Sequence, residues 1–497
     1  MIEGILIGLS TALSIQNLLM VMLGCFFGTI IGMLPGLGPM TAIALMIPIT
    51  YGFDPATGLI LMAGVYYGAV FGGSTSSILL NAPGVPGTVA TSFDGYPMAQ
   101  QGKAGKALAI AAWSSFAGGT LAAIYLLFLA PSLSKVSLSF RSPDYFALMI
   151  LGLTAIAAFS SKGQFLKAMM MVVLGLMLAS VGQDSLSDIT RFTFNNMNLT
   201  DGISFVLVVM ATFAMSEALT IILKKNDPTK AAKQVSLTEL GSISIDKDER
   251  KKMLKTIPRT SIIGFIIGVL PGAGATIASF LAYGMERNLV KDEEKEKFGK
   301  GSVHGLAAPE TANNAACSGS FVPLLTLGIP GSGTTAVMLG ALLGFGIQPG
   351  PRLYMTNPEI FWSVIMSMYI GMVILLILNL PLIPYIARIL AVPRTFLIPM
   401  ILFFSVTGIY LMSFNTFDIF LMIGIAIVAT GLRLYKFPMP PLILAFVLGG
   451  LMEENLRRSL LISDGSWAFL WDRPLTLCIM ITIVLIVFWQ IYNSYFK

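Results

Sequence analysis

Long apolar runs and short polar stretches alternate along the chain. The apolar runs lie at 17–34, 58–80, 107–130, 144–160, 164–182, 204–223, 361–380, 395–412, 417–432 and 475–493. Several of them reach the roughly 20 residues that a helix needs to cross the hydrocarbon core of a bilayer. The pattern predicts an all-α polytopic membrane protein with about 11–12 membrane segments.

The composition agrees with this interpretation. The chain is 55% hydrophobic and 11% charged, whereas a soluble protein has roughly 25% charged residues. The net charge of +6 comes largely from loops, so it indicates membrane topology and not a nucleic-acid partner. Cys25, Cys317 and Cys478 have neither the spacing of metal ligands nor that of a disulfide framework.

A proline–glycine motif interrupts the end of the first apolar run. GTIIGMLPGLGP occupies residues 28–39, where Pro35 removes a backbone donor and the glycines support a helix poorly. Inside a bilayer, such a break is tolerated where protein buries it or where it lines a watery cavity. The motif therefore predicts an interrupted helix that faces a ligand.

Two motifs occur twice, in the same order. GFIIGVLPGAG at 264–274 matches GTIIGMLPGLG at 28–38 in eight of eleven positions. GVPGT at 84–88 has a counterpart in GIPGS at 328–332. The repetition predicts two homologous transmembrane repeats, which we place at 1–223 and 256–497, with a basic linker at 224–255.

Charges and spacing predict how the two repeats are oriented. Ten lysines and arginines lie between Lys224 and Arg259, so the positive-inside rule places the linker in the cytoplasm. The segment 38–50 after the first break is 13 residues long, too short to span at about 1.5 Å per residue, which predicts a re-entrant hairpin. In the second repeat the expected arms, 257–270 and 275–285, are also short. Five apolar runs separate the hairpins, and this odd number predicts inverted repeats. The alternative is that each motif joins two complete helices.

Longer motifs resemble those of a known family. They are GTIIGMLPGLGP, GGSTSSILLNAPGVPGT (72–88), DGYPMAQQGKAGKAL (94–108), the second LPGAG, APETANNAACSGS (308–320) and PLLTLGIPGSGTTAVMLGAL (323–342). Together they resemble the large membrane subunit of the tripartite tricarboxylate transporter family over essentially the whole chain. The resemblance implies a multi-pass permease of the bacterial inner membrane that works with a small membrane subunit and a periplasmic solute-binding protein. It also implies import of di- or tricarboxylates, citrate-like organic acids, driven by a Na⁺ or H⁺ gradient.

Polar residues beside the breaks predict a site for an anion and a coupling ion. Hydroxyls and amides can hydrogen-bond carboxylates, helix N-termini can bind anions, and freed carbonyls can bind Na⁺, so no cofactor or dedicated metal site is expected. The candidates in the first repeat are Pro35, Gly36, Gly38, Ser74, Thr75, Ser76, Ser77, Asn81, Pro86, Gly87 and Thr88. Those in the second repeat are Pro271, Gly272, Gly274, Glu310, Asn313, Asn314, Ser318, Pro330, Gly331, Ser332, Gly333 and Thr334. The alternative for any single serine is helix packing, where small and hydroxyl residues are common.

Two carboxylates near the membrane have open interpretations. Glu310 is a candidate for a coupling proton or Na⁺, and alternatively, next to Pro309, a cap at a helix start. Glu217 is expected to extend to the membrane surface, and the alternative is again a site for a coupling proton or Na⁺. Glu453 and Glu454 each precede an arginine by four residues, which predicts two ion pairs on one helix.

Other function classes find little support in the sequence. An enzyme needs a catalytic constellation, but His304 is the one histidine and no phosphate-binding GxxxxGK[ST] motif occurs. We therefore expect no enzymatic activity. The alternative function is an organic-anion channel or a carrier that works without a binding protein.

Overall fold

The computed structural model describes residues 2–34, 37–158, 164–184, 188–223, 241–272, 274–386 and 394–495. Pro35, Gly36 and residues 224–240 of the expected linker lie outside the described residues. The described part is dominated by α-helices, as the apolar pattern predicts. A short antiparallel pair, β1 (Gly182–Gln183) and β2 (Thr190–Arg191), accompanies them.

The helices of the first half are α1 (Ile2–Ala12), α2 (Ile15–Met33), α3 (Gly38–Thr50), α4 (Pro55–Leu80), α5 (Val89–Met98), α6 (Ala104–Ser137), α7 (Ser142–Ala158), α8 (Phe165–Ala179), α9 (Phe205–Val209) and α10 (Ser216–Leu223). Short 3₁₀ turns lie at Pro86–Thr88 and Met197–Leu199, and π-helical turns lie at Ala99–Lys103 and Met210–Met215.

The helices of the second half are α11 (Lys247–Val269), α12 (Gly274–Leu289), α13 (Asp292–Lys295), α14 (Val303–Gly319), α15 (Phe321–Leu327), α16 (Gly333–Gly344), α17 (Leu353–Thr356), α18 (Pro358–Asn379), α19 (Ile383–Ile386), α20 (Arg394–Ser413), α21 (Thr416–Leu434), α22 (Pro440–Ile462) and α23 (Pro474–Tyr495). A 3₁₀ turn at Trp467–Leu470 precedes the last helix.

Six helical stretches of the described part are long and apolar enough to cross a membrane. They are Ile15–Met33, Pro55–Leu80, Pro86–Val136, Phe205–Leu223, Pro358–Asn379 and Thr416–Leu434. The helix Pro55–Leu80 is buried throughout, which places it at the centre of the bundle. The chain is therefore an α-helical membrane protein.

Glycines bring α2 and α4 into backbone contact. A Cβ atom on Gly28 would overlap the carbonyl oxygen of Val65, and one on Gly32 would overlap that of Ala69. Small residues at four-residue spacing are typical of helices that pack closely inside membranes. Because both contacts advance in the same direction along the chain, α2 and α4 run parallel. The intervening α3 must then return toward the end at which α2 begins.

The same arrangement occurs in the second half. A Cβ atom on Gly264 would overlap the carbonyl oxygen of Ala312, and one on Gly268 would overlap that of Ala316. Helices α11 and α14 therefore run parallel, and α12 returns between them. Each half thus contains a helix, a glycine-rich break, a shorter returning helix and a third helix parallel to the first.

The central helices of the two halves meet in opposite directions. The Tyr67 hydroxyl on α4 lies 2.9 Å from the Ser318 hydroxyl on α14. Further along α4, Ser74 donates a hydrogen bond to Glu310, which lies earlier on α14. Contacts that advance on one helix and retreat on the other identify an antiparallel pair.

Helix α11 begins ten residues before the expected arm. The apolar pattern predicted this arm from residue 257, whereas the helix starts at Lys247. The Glu249 carboxylate accepts a hydrogen bond from the Asp246 backbone N–H at 2.9 Å, which stabilises this charged first turn. The last residues of the expected linker are therefore helical.

The two ion pairs predicted on one helix are confirmed on α22. Arg457 lies 2.6 Å from Glu453, and Arg458 pairs with Glu454. Arg457 also lies 2.6 Å from Asp184, next to β1. The pairs therefore connect the β1–β2 region to the C-terminal end of α22.

Replacing Gly28 or Gly264 by valine should destabilise the protein. Each new side chain would push apart two backbones, and overpacking costs about 1–3 kcal/mol. We expect the detergent-solubilised variants to lose their monodisperse size-exclusion peak at a temperature about 1–3 °C below that of the parent protein.

Gly424→Val is the matched control, because a Cβ atom at Gly424 on α21 would meet nothing within 4 Å. Equal thermal stability of all three variants would contradict the proposed importance of close helix packing.

Candidate functional site

A cavity of about 410 Å³ lies where the two halves meet. Four helix starts contribute to its wall: α3 with Pro39 and Met40, the turn before α5 with Pro86 and Gly87, α12, and α16. The described residues that line it are Pro39, Met40, Tyr66, Val70, Val85, Pro86, Gly87, Ile156, Gln164, Gly272, Gly274, Ala275, Thr276, Ile277, Asn313, Ser332, Gly333, Thr334, Pro438, Pro440 and Pro441. We call this space the central cavity.

The local sequence explains why the helices begin at this cavity. Gly38 and Gly274 open α3 and α12 with φ angles of +65° and +63°, a conformation that glycine adopts without steric cost. The Ser332 hydroxyl accepts a hydrogen bond from the Thr335 backbone N–H and caps α16. The first N–H groups of a helix have no partner within it and give this end a partial positive charge.

Asn313 is the most informative side chain in the cavity wall. It lies on α14, is fully buried, and neither atom of its amide group has a hydrogen-bond partner among the described residues. A Cβ atom on Gly87 would lie 2.5 Å from the Asn313 Oδ1, so only a glycine leaves room for this amide. An unpaired buried polar group costs about 1–3 kcal/mol. A polar ligand in the cavity would remove that cost.

Tyr66 lines the cavity from the first half. Its hydroxyl lies 3.4 Å from the Ser332 hydroxyl, which couples α4 to the start of α16. The reverse contact, from a side chain of the second half to a break of the first, also occurs. Asn313 on α14 lies against Gly87 in the turn before α5. Each half therefore supplies a side chain that contacts a break of the other half.

A second cavity, of about 510 Å³, adjoins the first. The two share Pro39, Met40, Val85, Pro86, Pro438 and Pro440 in their walls. The second cavity also reaches Gly38, Glu217 and Arg433. Arg433 pairs with Glu217 and donates to the Thr212 carbonyl at 2.9 Å. Glu217 thus forms a mostly buried ion pair instead of extending to the membrane surface.

The serine-rich stretch on α4 is engaged in contacts within the protein. Ser74 donates to Glu310 at 2.7 Å, and Ser77 donates to Thr88 at 2.8 Å. Ser76 donates to the Gly73 carbonyl. These hydroxyls stabilise the end of α4 against its neighbours and are not part of the central cavity wall.

The structure contradicts one of the two interpretations of Glu310. Helix α14 begins at Val303, so Glu310 lies two turns inside it and does not cap a helix start. Its carboxylate is fully buried and accepts hydrogen bonds from Ser74, Thr91 and Ser115. The cap interpretation is therefore wrong, because the helix continues through Pro309.

The structure brings part of the predicted site together. The predicted residues in the central cavity wall are Pro86, Gly87, Gly272, Gly274, Asn313, Ser332, Gly333 and Thr334, and Gly38 lines the adjoining cavity. Neither of these linings includes Ser74, Thr75, Ser76, Ser77, Asn81, Thr88, Pro271, Glu310, Asn314, Ser318, Pro330 or Gly331. Pro35 and Gly36 lie outside the described residues.

Several of these other residues have clear structural contacts. Asn81 is exposed and ends α4 with a φ angle of +50°. Asn314 donates to the Glu310 carbonyl at 3.1 Å. The Gly272 N–H donates to the Gly331 carbonyl at 3.0 Å, which joins the two breaks of the second half.

Sequence reasoning missed other parts of the site. Tyr66 sits within an apolar run without a distinguishing motif, and the Pro438–Pro441 stretch has no repeated counterpart. The proline pairs there do signal an irregular segment before α22. His304, isolated in sequence, has its Nδ1 3.0 Å from Glu286. Only the folded chain reveals these proximities.

Comparisons with known proteins address the identity of the chain. A model described as "Tripartite tricarboxylate transporter TctA family" matches residues 18–444. An Agrobacterium vitis protein described as "Uncharacterized 52.8 kDa protein in TAR-I ttuC' 3'region" is 42% identical over 465 residues, 94% of this chain and 91% of that protein. Another, "Uncharacterized protein in TAR-II ttuC' 3'region", is 43% identical over 212 residues, 43% of this chain and 87% of that protein. No solved structure matches the chain.

The family match covers most of the chain and agrees with the motif-based resemblance. Since the helical architecture is also that of a membrane protein, the chain belongs to the tripartite tricarboxylate transporter TctA family and is a membrane subunit of such a transporter.

Proposed function

We propose that this chain is the large permease subunit of a binding-protein-dependent secondary transporter of the bacterial inner membrane. It imports di- or tricarboxylates, citrate-like organic anions, and a Na⁺ or H⁺ gradient drives the uptake. Its partners are a small membrane subunit and a periplasmic solute-binding protein. The observation that carries the proposal is the central cavity, where four helix starts surround the unpaired amide of Asn313.

The electrostatics of the central cavity favour a multiply charged anion. No Asp, Glu, Lys or Arg side chain is among the described residues that line it. Each helix N-terminus acts as about half a positive charge, so four of them supply on the order of two charges. That value suits a dicarboxylate better than a monocarboxylate. Backbone N–H groups and Asn313 would supply the hydrogen bonds.

We further propose that residues 1–223 and 256–497 are inverted repeats around this site. The parallel helix pairs within each half and the antiparallel contact between α4 and α14 support this orientation. Inverted repeats with broken helices are typical of secondary transporters, which bind substrate near the midplane. In this proposal, α2–α3 and α11–α12 are re-entrant hairpins that enter from opposite faces of the membrane.

The adjoining cavity provides a route toward the cytoplasm. It reaches Glu217 on α10, the helix that leads into the basic linker at 224–255. We propose that this linker is cytoplasmic. A substrate released from the central cavity would then pass the Glu217–Arg433 pair on its way into the cell.

Carboxylate binding tests the central claim directly. Succinate and citrate should each raise the thermal unfolding temperature of the purified chain, because a ligand that binds the folded state stabilises it. Acetate at the same ionic strength should raise it much less. Equal effects of all three anions would remove the support for a site that prefers multiply charged carboxylates.

Asn313→Ala should weaken transport. The substitution removes no hydrogen bond within the described protein, so the fold should survive. A hydrogen bond to a charged group contributes about 1.5–3 kcal/mol, which predicts a rise of about tenfold or more in the half-saturation concentration for uptake. Uptake is measured in proteoliposomes with the small subunit and saturating binding protein.

Asn455→Ala is the matched control, because its amide donates to the Leu451 carbonyl on α22, away from both cavities. If the Asn313→Ala variant takes up substrate with wild-type kinetics, the anion binds elsewhere. Uptake that is independent of the binding protein would instead favour the alternative carrier or channel.

Cysteine labelling tests the inverted orientation. In a background without Cys478, the exposed residues Asn195 and Ser242 are replaced singly by cysteine. We expect Asn195→Cys to react with an impermeant thiol reagent from outside. Ser242→Cys should react only after the inner membrane is opened. External labelling of both positions would be incompatible with five crossings between the hairpins.

A further inference from the structure

A fully buried carboxylate lies next to the central cavity without being part of its wall. Glu310 Oε2 accepts hydrogen bonds of 2.7 Å from both Ser74 and Ser115. Thr91 donates to Oε1. The three hydroxyls come from α4, α5 and α6, so Glu310 joins three helices of the first half to α14 of the second.

Several charged and tyrosine side chains on the surrounding helices are engaged elsewhere. On α5, Asp94 accepts three backbone N–H hydrogen bonds from the segment 299–302 and one from Tyr283. On α6, Lys106 lies 2.9 Å from Asp246. Glu286 on α12 pairs with Arg259 on α11 and His304 on α14. Tyr66 and Tyr67 on α4 contact Ser332 and Ser318.

Glu310 therefore has hydroxyl donors but no cationic partner among the described residues. An isolated buried carboxylate is unfavourable when ionised and becomes neutral by taking up a proton. Hydroxyl groups suit both states, because each can donate to the carboxylate or accept from the protonated acid. The site can thus bind and release a proton without losing its hydrogen-bond partners.

A small void provides a place for a water molecule beside these hydroxyls. Its volume is about 10 Å³, and Ser74, Thr75, Ser115 and Asn379 contribute to its wall. That volume is about the minimum for one water. The Oδ1 atom of Asn379 has no hydrogen-bond partner among the described residues. A water there would connect the Ser74 and Ser115 hydroxyls to the end of α18.

The carboxylate is mechanically linked to the central cavity. Glu310 and Asn313 lie one turn apart on α14. Thr91 contacts Glu310, and Gly87, four residues earlier, contacts Asn313. A displacement of the turn before α5 would therefore alter the carboxylate and the anion site together.

We propose that Glu310 is the proton-binding site that couples carboxylate import to the proton gradient. The inference rests on the proposed transport function. The Glu310 carboxylate takes one proton from the outer side, and the neutral acid releases it to the cytoplasm in the same cycle that moves the substrate. A proton fits better than Na⁺, because all three hydroxyls donate hydrogen bonds directly to the carboxylate.

Glu310→Gln tests the proposal, since glutamine is nearly isosteric and resembles the protonated acid. Proteoliposomes contain the chain, the small subunit and the binding protein, with labelled citrate and succinate as probes and an internal pH dye. We expect uptake driven by a pH gradient, and the accompanying internal acidification, to fall at least tenfold. Exchange of labelled for unlabelled substrate at equal pH should stay within about twofold of wild type.

Glu454→Gln is the matched control, because that carboxylate pairs with Arg458 on the partly exposed α22 surface. It should behave as wild type in both assays. Ser115→Ala keeps the carboxyl group but removes one donor, so it should shift the pH at which uptake is half-maximal. This second variant also gives a result if Glu310→Gln does not fold.

Three outcomes would overturn the inference. The first is gradient-driven uptake at wild-type rate in Glu310→Gln, and the second is an unchanged pH profile in Ser115→Ala. The third is that uptake by the wild-type protein depends on a Na⁺ gradient and not on a pH gradient. That result would reject the coupling role of Glu310 but not carboxylate transport itself. Absence of both uptake and exchange in the wild type would instead reject the proposed function.

Discussion

A helix that breaks inside a membrane must keep its free N–H and C=O groups away from lipid, and the architecture of this protein depends on that constraint. Close backbone packing at glycines satisfies this constraint. In the first half, a Cβ atom on Gly84 would overlap the Gly32 carbonyl oxygen. In the second, the Gly272 N–H donates to Gly331, so one break satisfies the other. Close backbone contact is what allows four helices to begin in the interior.

The breaks also determine the electrostatics of the central cavity. Helix starts present partial positive charge without the desolvation cost of a lysine or arginine side chain in the membrane interior. Such a site can attract an anion without a full positive charge on any side chain of its described lining. The Glu217–Arg433 pair lines the adjoining cavity instead.

In the proposed transport cycle, the placement of Glu310 keeps its charge apart from that of the substrate. Ser74, Thr91 and Ser115 surround this carboxylate, whereas Asn313, one turn later on α14, lies in the central cavity wall. Direct exposure of Glu310 to a carboxylate ligand would create repulsion between like charges. The position of Glu310 outside the cavity wall avoids this repulsion, and helix α14 still links it to Asn313.

The sequence by itself determined the membrane class, the family, the repeated breaks and the cavity residues that belong to them, such as Gly87, Gly274 and Gly333. Hydropathy and repetition are properties of the chain, and backbone breaks leave a clear proline–glycine signal. Tertiary structure alone decided which polar groups remain unpaired. Ser74 and Asn313 are both polar in sequence, but the Ser74 hydroxyl on α4 donates to Glu310 across the helix interface. The Asn313 amide on α14 lies against Gly87 and has no hydrogen-bond partner among the described residues. Such pairing depends on contacts between residues more than 200 positions apart, which no local pattern encodes.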